Sequence, residues 1–260
     1  MKFSIVVPSL NQAQFLRDTL DSIINGQTGV EVQCIVQDGG STDESVAVLR
    51  SFEPVASAAG VELEWRSEKD NGQADAINQG LQRATGDVVA YLNSDDRYVP
   101  GALKRVAEAF AANPDAAWAT GDCRIIDVAG NEIQRGVRAY RHYWLKRYSR
   151  TRLLMLNFVA QPATFWRRSA LVSLGQFDEK LHYTMDYDYW LRLSAASPPV
   201  VVNEALAEFR IHGASKGGSR FDRQFDEDYR TMCRYTSNRW IRGFHRLHNA
   251  AIVLAYRFLK

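Results

Sequence analysis

The first 120 residues alternate short, β-branched apolar runs with runs in which apolar positions recur every three or four residues. The short runs are typical of buried strands, and they cover residues 3–8, 32–37, 61–65, 87–92 and 116–121. The longer period predicts amphipathic helices near residues 15–24, 46–52, 74–81 and 103–110. Strands that alternate with helices imply right-handed crossovers. The pattern therefore predicts an α/β fold with a doubly wound, mostly parallel sheet.

The pattern changes after residue 120. Residues 123–136 predict a hairpin that turns at Ala129-Gly130-Asn131, and an aromatic, basic stretch follows. Beyond it, the hydrophobic periods predict a strand at 163–167, a helix at 188–196, a strand at 205–211 and long C-terminal helices. Because no repeat or linker separates the two parts, we expect the second half to pack onto the first.

The composition is that of a folded protein, with 46% hydrophobic and 24% charged residues among 260. No apolar stretch approaches the roughly 18 residues that a membrane-spanning helix needs. The chain begins with a strand-like run and without a basic leader, so we expect no signal peptide and a cytoplasmic location. Three widely spaced cysteines, Cys34, Cys123 and Cys233, argue against a disulfide framework and are interpreted as buried thiols.

The basic residues are concentrated in two late segments. Residues 135–152 contain seven Lys or Arg, and residues 239–260 contain five, with no acid in either. Because the whole chain carries +2, the rest of it carries −10. Such segregation indicates an anionic partner or surface.

Both basic segments are rich in aromatic residues. In residues 135–152 this composition fits nucleic acid, an acceptor that carries a diphosphate, or an anionic membrane surface. In the C-terminal segment one helical stripe is apolar and arginines lie around it, which is typical of an interfacial helix. A helix that packs in the core or forms a dimer remains the alternative. The stripe consists of Trp240, Phe244, Leu247, Ala251, Leu254 and Phe258.

Polar residues follow three of the predicted strands, at 8–11, 37–43 and 93–96. Ligands of open α/β sheets bind at the carboxyl ends of the strands, so these residues are expected to share one rim. Some of them have a structural alternative: Asn11 and Ser41 fit capping boxes, and Gly39-Gly40 fits a tight turn. The adjacent acids Asp95 and Asp96 need solvent, a hydrogen-bonded turn or a cation to offset their repulsion. No glycine-rich phosphate loop follows these strands.

Six segments, taken in order over roughly residues 3–215, resemble the family 2 inverting glycosyltransferases with the GT-A fold. They are SIVVPSLNQAQFL, VQDGGSTDES, SEKDNGQADAINQGLQRATGDVVAYLNSDD, QPATFWRR, FDEKLHYTMDYDYWLRL and FRIHGAS. The resemblance extends to bacterial enzymes that elongate lipid-linked surface polysaccharides such as O-antigen. It implies a GT-A domain at 1–218, with a nucleotide-binding half at 1–120 and an acceptor half at 121–218. A helical extension would occupy 219–260.

The resemblance also implies residue roles. Asp38 is similar to the carboxylate that binds the nucleotide base, and Asn93-Ser94-Asp95 takes the place of the Asp-x-Asp motif. Here the first acid is Asn93, which adds no charge, so a replacement of Asn93 by Asp is expected to be tolerated or to tighten metal binding. Asp95 would hold Mn²⁺ or Mg²⁺ with His212, and Asp96 is a weaker candidate. The other expected donor-binding residues are Pro8, Ser9, Asn11, Asp70, Asn71, Asp75, Ser94 and Lys216.

Asp186 falls where the family carries its catalytic base. Such a carboxylate takes the proton of the acceptor hydroxyl as that hydroxyl attacks the anomeric carbon. Asp188 is the rival, and its structural alternative is to start a helix. His212 has a structural alternative too, because a lone histidine after a strand often has no ligand role.

These observations predict a metal-dependent, inverting enzyme that moves a sugar from a nucleoside diphosphate, UDP by preference, to a glycan or lipid-linked acceptor. Peripheral contact with the inner membrane face is expected, and nucleic acid is the disfavoured partner. One rival is a sugar nucleotidyltransferase, which would need a glycine- and arginine-rich loop after the first strand. The other is a non-catalytic protein that binds sugar nucleotides or nucleic acid.

Overall fold

The computed structural model describes residues 1–213 and 221–258, and it describes the backbone alone for 221, 222 and 255–258. The strands in these ranges are β1 (Lys2–Ser9), β2 (Glu31–Asp38), β3 (Glu62–Ser67), β4 (Val88–Tyr91), β5 (Arg97–Tyr98), β6 (Trp118–Ile126), β7 (Glu132–Ile133), β8 (Thr164–Arg167) and β9 (Val200–Arg210). The helices are α1 (Ala13–Ile24), α2 (Ser45–Ala59), α3 (Gln73–Gln82), α4 (Ala102–Ala112), α5 (Arg135–Leu145), α6 (Arg150–Leu156), α7 (Arg168–Leu174), α8 (Met185–Ala196), α9 (Phe221–Cys233) and α10 (Arg239–Phe258). A 3₁₀ turn covers Gln161–Ala163.

The described strands form one sheet in the order β3-β2-β1-β4-β8-β6-β9-β5, and β7 pairs with β6. The long ladders, β1 with β2, β2 with β3 and β6 with β9, are parallel, as is β1 with β4. The short strand β8 runs antiparallel to both β4 and β6 and joins the two parallel parts. The predicted α/β class with a mostly parallel sheet is confirmed.

The hydrophobic core centres on three tryptophans. Trp190 of α8 is fully buried and stacks on Trp118 of β6, with ring centroids 6.2 Å apart. It also meets the edge of Trp166 of β8 at 5.6 Å. Large buried aromatic side chains dominate core energetics, so this cluster fixes α8 to the middle of the sheet.

The C-terminal helices share this core. α9 packs on α8, and α10 packs on α6 and α9. Met232 of α9 is fully buried within the main cluster. The boundary predicted at residue 218 falls outside the described ranges and stays a prediction.

Several predicted boundaries are wrong. Helix α8 begins at Met185, three residues before its predicted start, and β9 begins at Val200 instead of Ala205. Residues 135–156 form α5 and α6, where the pattern predicted no element. The reason is that α5 buries only Leu145, so it carries no apolar stripe that a sequence period could show.

Candidate active site

The carboxyl ends of β1, β2 and β3 lie level with one another, because Ser9 pairs with Asp38 and Asp38 pairs with Ser67. Strand β4 lies on the other side of β1, and its carboxyl end reaches the same edge of the sheet. There, Leu92 N donates to Val6 O at 2.9 Å. The expected common rim is therefore present.

Asp38 is fully buried at this rim and accepts three hydrogen bonds. Ser41 donates its N–H at 2.8 Å and its hydroxyl at 2.5 Å, and the Ser67 hydroxyl donates at 2.7 Å. The neighbouring Ser9 hydroxyl is also buried, yet no described residue hydrogen-bonds it. Since buried hydroxyls are rarely left unpaired, Ser9 is suited to bond a ligand beside Asp38.

Asn11 connects the first two polar strand ends. Its backbone lies in the left-handed region, with φ 52°. Its N–H donates to Ser41 Oγ at 2.7 Å, and its side-chain oxygen accepts from Thr42 N at 2.9 Å. The capping-box interpretation of Asn11 is wrong, because α1 has Gln12 at its N-cap and the carboxylate of Asp43 binds Ala13 N instead.

Asp70 lies across the rim from Asp38. A Cβ on Gly39 would lie 2.7 Å from Asp70 Oδ2, so a larger residue there would displace the Asp70 carboxylate. Burial raises the pKa of Asp70, and the negative charges of Asp75 and Asp38 add to the rise. Asp70 and Asp38 are thus close enough for their charges to interact.

Asn71 and Asp75 bond each other. Asp75 Oδ2 accepts from Asn71 N at 2.8 Å and from its side-chain amide at 3.1 Å. The backbone hydrogen bond from Asn71 lowers the pKa of Asp75. Asp75 also lies in the first turn of α3, where a negative charge is favourable. Both residues shape the loop before α3, and their donor contacts stay a prediction.

Asn93 joins three segments through its amide. Its oxygen accepts from Gln73 Nε2 at 2.6 Å, and its nitrogen donates to Gln161 Oε1 at 3.2 Å and to Asp96 Oδ2 at 3.3 Å. Gln161 in turn donates to Tyr91 O at 2.7 Å. The amide that replaces the family's first acid is therefore a bridge between the β4 end, α3 and the 3₁₀ turn.

Asp95 and His212 meet directly, although 117 residues separate them in sequence. Asp95 Oδ2 lies 2.9 Å from His212 Nε2, and the His212 ring packs at a 37° tilt against Phe15, with ring centroids 4.8 Å apart. Their side chains keep 20% and 8% of their surface exposed, so a ligand can reach them. The predicted metal pair is thus brought together.

This pair fits a divalent metal that also binds a diphosphate. Ligands about 2.1 Å from an octahedral ion lie about 3 Å apart at adjacent corners, close to the separation observed here. A carboxylate with an imidazole suits Mn²⁺. Among the described residues, no three His, Cys, Asp or Glu side chains form a metal-binding group, so the remaining ligands would be diphosphate and water oxygens.

Asp96 turns away from Asp95 into the interior. It is 1% exposed and accepts from the backbone N–H of Arg210 at 2.8 Å. Burial raises the pKa of Asp96 well above its ordinary value, and the charge of Asp95 adds to this. The adjacent acids are tolerated because one carboxyl is buried beside Arg210 and the other is paired with His212. Asp96 is thus a structural residue of this site.

Asp186 lies in the first turn of α8, where Asp186 Oδ1 accepts from Tyr187 N at 2.7 Å. Removal from water raises the pKa of Asp186 to about 6, helped by the negative charge of Asp228 and opposed by Arg141. Burial raises the pKa of Tyr91 at the end of β4, and the charges of Asp186 and Asp96 add to the rise. Asp186 therefore lies within electrostatic range of the Tyr91 side chain.

Asp188 is excluded as a base by its contacts. It is 1% exposed, and it accepts from Tyr235 Oη at 2.6 Å and from Arg192 Nε at 3.0 Å. The Arg234 guanidinium lies 3.3 Å from Asp188 Oδ1. Asp188 ties α8 to the end of α9.

Comparison with known proteins identifies the family. Residues 4–175 match the family model described as "Glycosyl transferase family 2". The chain belongs to glycosyl transferase family 2. It is 29% identical, over 81% of its length and 75% of the relative's, to an uncharacterized glycosyltransferase of Mycobacterium tuberculosis. It is also 30% identical to a PGL/p-HBAD biosynthesis glycosyltransferase of Mycobacterium bovis, over 73% of this chain and 68% of that one.

Solved structures share the fold of this family 2 glycosyltransferase. TarS 1–349 of S. aureus, in complex with UDP-GlcNAc, has a TM-score of 0.66 at 16% identity and covers 93% of this chain. The mannosyltransferase PcManGT from Pyrobaculum calidifontis, with GDP-Man and Mn²⁺, has a TM-score of 0.64 at 18% identity and covers 99%. The chain spans 69% of the first structure, 79% of the second and 39% of a longer TarS structure.

Sequence reasoning missed four residues that organise the site of this family 2 glycosyltransferase. They are Gln161, Arg210, Glu227 and Arg141. Arg210 carried a usable signal, because an arginine inside an apolar strand needs buried partners. The others carried none, since their partners lie far away in sequence. One predicted donor residue, Lys216, lies outside the described residues.

Arg141 of α5 is the missed residue next to the base. Its positive charge lowers the pKa of Asp186, so it faces that carboxyl. It is partly accessible, and within residues 1–213 and 221–258 it has no hydrogen bond or ion pair. An unpaired guanidinium beside the base can bind an anionic group of a substrate.

Proposed function

We propose that this glycosyltransferase inverts the anomeric carbon as it transfers a sugar from UDP to a glycan or lipid-linked acceptor in surface polysaccharide synthesis. The observation that carries the proposal is the arrangement around the end of β4. There, a carboxyl with a pKa of about 6, Asp186, lies within electrostatic range of Tyr91, the last residue of β4, and the loop after β4 holds the Asp95–His212 pair. An acid–base group and a phosphate-binding group on one edge are the two requirements of direct glycosyl transfer.

Asp186 would act as the general base. The ionised carboxyl accepts the proton of the acceptor hydroxyl while the hydroxyl oxygen forms a bond to the anomeric carbon. The bond between that carbon and the diphosphate oxygen breaks, and the electron pair leaves with the nucleoside diphosphate. A single displacement of this kind inverts the configuration. Proton removal by a positioned base contributes about 10²- to 10⁴-fold to the rate.

Asp95 and His212 would hold Mn²⁺ or Mg²⁺. When bound, such an ion offsets the negative charge that develops on the leaving diphosphate. The protein's own part is to keep the two ligands 2.9 Å apart, which it does by packing His212 against Phe15 and by binding Asp95 O through Arg210 Nε at 2.9 Å.

The donor would lie along the rim from β4 to β2. Asp38, the unpaired Ser9 hydroxyl and Asp70 would bind the nucleoside, and the Asn93 region would face the ribose and diphosphate. The TarS structure contains UDP-GlcNAc and the PcManGT structure contains GDP-Man. These complexes support a nucleoside diphosphate sugar on this fold, and we propose UDP for this chain.

The acceptor would approach from the side of α5 and α8, where Arg141 lies beside Asp186. A guanidinium there fits an acceptor that carries phosphate, such as a lipid-linked glycan. The similarity to a PGL/p-HBAD biosynthesis glycosyltransferase supports a biosynthetic acceptor. We place the reaction on the cytoplasmic side of the membrane.

The test compares three variants in donor binding and transfer. Asp186→Asn is expected to abolish turnover while the UDP-sugar and Mn²⁺ still raise the melting temperature. Asp95→Asn is expected to lose both the Mn²⁺-dependent shift and turnover. The control is Asp115→Asn, which removes an exposed carboxylate away from the site and should match the wild type.

The product's anomeric configuration, measured by NMR, tests inversion separately. Retention of configuration, or full turnover by Asp186→Asn, would refute the assigned mechanism. If the wild type and all variants bind donors and none shows turnover, the protein is instead a non-catalytic binder. Family membership already excludes the nucleotidyltransferase alternative.

A further inference from the structure

Helix α10 turns a polar face towards the protein. His245 is fully buried, with Nδ1 2.7 Å from Leu154 O and Nε2 2.6 Å from Asp228 Oδ2. Asn249 is also buried and donates to the same oxygen, Asp228 Oδ2, at 3.0 Å, while Asn157 donates to Oδ1 at 2.7 Å. The bonds from α10 fix its rotation about its axis, because a rotation would remove two partners of a buried carboxylate.

The opposite face of α10 is apolar and exposed. Four large side chains on one helical stripe keep most or about half of their surface in solvent: Trp240 at 87%, Leu247 at 70%, Leu254 at 55% and Phe244 at 49%. A surface helix normally buries its apolar stripe. Here the stripe is presented outward, and contiguous exposed apolar surface of this kind marks an interaction site.

Positive charge borders this stripe. Tyr140 of α5 bonds His248 of α10, with Oη and Nε2 2.7 Å apart, and α6 packs along α10. The described parts of the two basic segments, residues 135–152 and 239–258, are therefore neighbours in space and together hold eleven Lys or Arg and no acid. The exposed acid Asp226 on nearby α9 is paired with Arg230 at 2.8 Å.

We propose that this face, defined as the outward stripe of α10 with the adjoining basic residues of α5 and α6, binds the surface of an anionic lipid bilayer. An outward apolar stripe bordered by arginines has the composition of helices that lie in the membrane interface. Each basic side chain near an anionic surface adds attraction. In the described part of the chain, no helix is long and apolar enough to cross a bilayer, so the stripe would lie on the surface.

A second copy of the chain fits this face less well. In a two-fold dimer the same patch meets itself, so the basic segments of both copies would be brought together. Like charges placed opposite each other weaken association. An anionic surface complements the charge and covers the apolar stripe at the same time.

The experiment measures sedimentation of the full chain with vesicles of phosphatidylcholine alone and of phosphatidylcholine mixed equally with phosphatidylglycerol. Trp240→Ser/Leu247→Ser is the test variant, and both side chains are exposed enough to be replaced without disturbing the core. Val172→Ser is the matched control, because Val172 is 78% exposed on α7. No sugar nucleotide or metal is added, so the result is independent of the proposed reaction.

The wild type and the control should bind the anionic vesicles and lose binding in high salt. The double variant should bind at least about tenfold more weakly, since two apolar side chains no longer enter the interface. The fluorescence of Trp240, the most exposed of the six tryptophans, should shift to shorter wavelength on binding, and the double variant, which keeps the other five, measures their contribution. Equal binding by all three proteins would overturn the proposal. So would a concentration-dependent dimer that the double variant disrupts in the absence of vesicle binding.

Discussion

At the scale of single residues, the proposal that Asp186 is the base implies that its ionisation sets the pH at which the enzyme works. Its pKa is raised to about 6, and only the ionised carboxyl can accept a proton. We predict that kcat/KM falls as the pH decreases through about 6. In Arg141→Gln the acidic limb of the pH profile should move to higher pH, because the positive charge that favours ionisation of Asp186 is removed.

The measurement is the pH profile of transfer for the wild type, Arg141→Gln and the control Arg135→Gln. Arg135 belongs to the same helix but its side chain is 80% exposed, so its removal should leave the profile unchanged. If Arg141→Gln lowers the rate at every pH without moving the limb, Arg141 binds substrate only and does not tune the base.

The same carboxyl should destabilise the fold at neutral pH. Its pKa is raised above the ordinary value, so folding favours the protonated form, and this contribution is lost as the pH rises through about 6. The rise from 3.8 to about 6 corresponds to at most about 3 kcal/mol above that pH. Asp186→Asn should therefore be more stable than the wild type at about pH 8 and nearly equal to it at about pH 4.

Urea unfolding at the two pH values measures this difference. Asp115→Asn provides the baseline for an exposed carboxylate, and it should show no such dependence. A gain in stability that does not change with pH would mean that burial, and not ionisation, accounts for the effect of the substitution.

Residue identities predicted part of this site. The three polar strand ends, the Asp95–His212 pair and the position of Asp186 all follow from motifs that the sequence displays. The role of Asn93 does not. Sequence predicts that Asp in its place is tolerated or tightens metal binding, whereas its amide nitrogen donates to Asp96 and Gln161, and an ionised carboxylate could not donate to either. Such a role depends on partners that no local pattern reveals.

At the scale of elements, the segment that leads into the helix carrying Asp186 is held by a different helix. Glu227 of α9 accepts from the backbone N–H groups of Tyr183 at 2.6 Å and Thr184 at 2.8 Å, and from that of His182 at 3.2 Å. These are the N-cap residue of α8 and the two residues before it, and a carboxylate beside a helix N-terminus also interacts favourably with the helix dipole. Glu227 therefore positions the first turn of α8, and Asp186 with it.

We predict that Glu227→Ala lowers the free energy of unfolding by about 0.5–2 kcal/mol and lowers kcat more than it changes the KM for the donor. Glu227→Gln keeps an acceptor oxygen and should recover most of kcat. The adjacent Asp226→Ala is the control, because within the described ranges Asp226 forms its ion pair with Arg230 on its own helix. Equal losses of kcat in Glu227→Ala and Asp226→Ala would show that Glu227 has no positioning role.

The prediction of helices and strands succeeded where burial of one face or of a whole strand leaves a pattern of apolar residues in the sequence. It failed where an element buries too few residues to leave such a pattern. Strands β1, β2 and β4 are almost wholly buried, so their continuous apolar runs were clear in the sequence. Helix α5 buries a single residue and could not be detected in this way. The start of α8 was misplaced because the carboxylate that holds the residues leading into it, Glu227, lies 45 residues from His182.

At the scale of the whole molecule, one buried arginine connects segments from four parts of the chain. Arg210 of β9 is 1% exposed, and its guanidinium donates to Asp95 O at 2.9 Å, to Val128 O at 3.0 Å and to Asp18 Oδ2 at 3.0 Å. Its charged group also lies 4.9 Å from the Phe15 ring. The loop that carries the predicted metal ligand is thus held by α1, the β6–β7 turn and β9 together.

Arg210→Leu should consequently affect stability and metal binding at once. It leaves carbonyl and carboxylate acceptors without their donor, and loss of one member of a buried charged network costs about 3–5 kcal/mol. Arg105→Leu is the control, because the Arg105–Glu204 pair at 2.9 Å is largely exposed and such pairs contribute about 0–1 kcal/mol. Urea unfolding measures the loss of stability.

Arg210 also holds Asp95 through the Asp95 backbone oxygen. The folded fraction of Arg210→Leu should therefore bind Mn²⁺ more weakly than Arg105→Leu in a titration with UDP present. Unchanged Mn²⁺ affinity would show that β9 supports the fold without positioning Asp95.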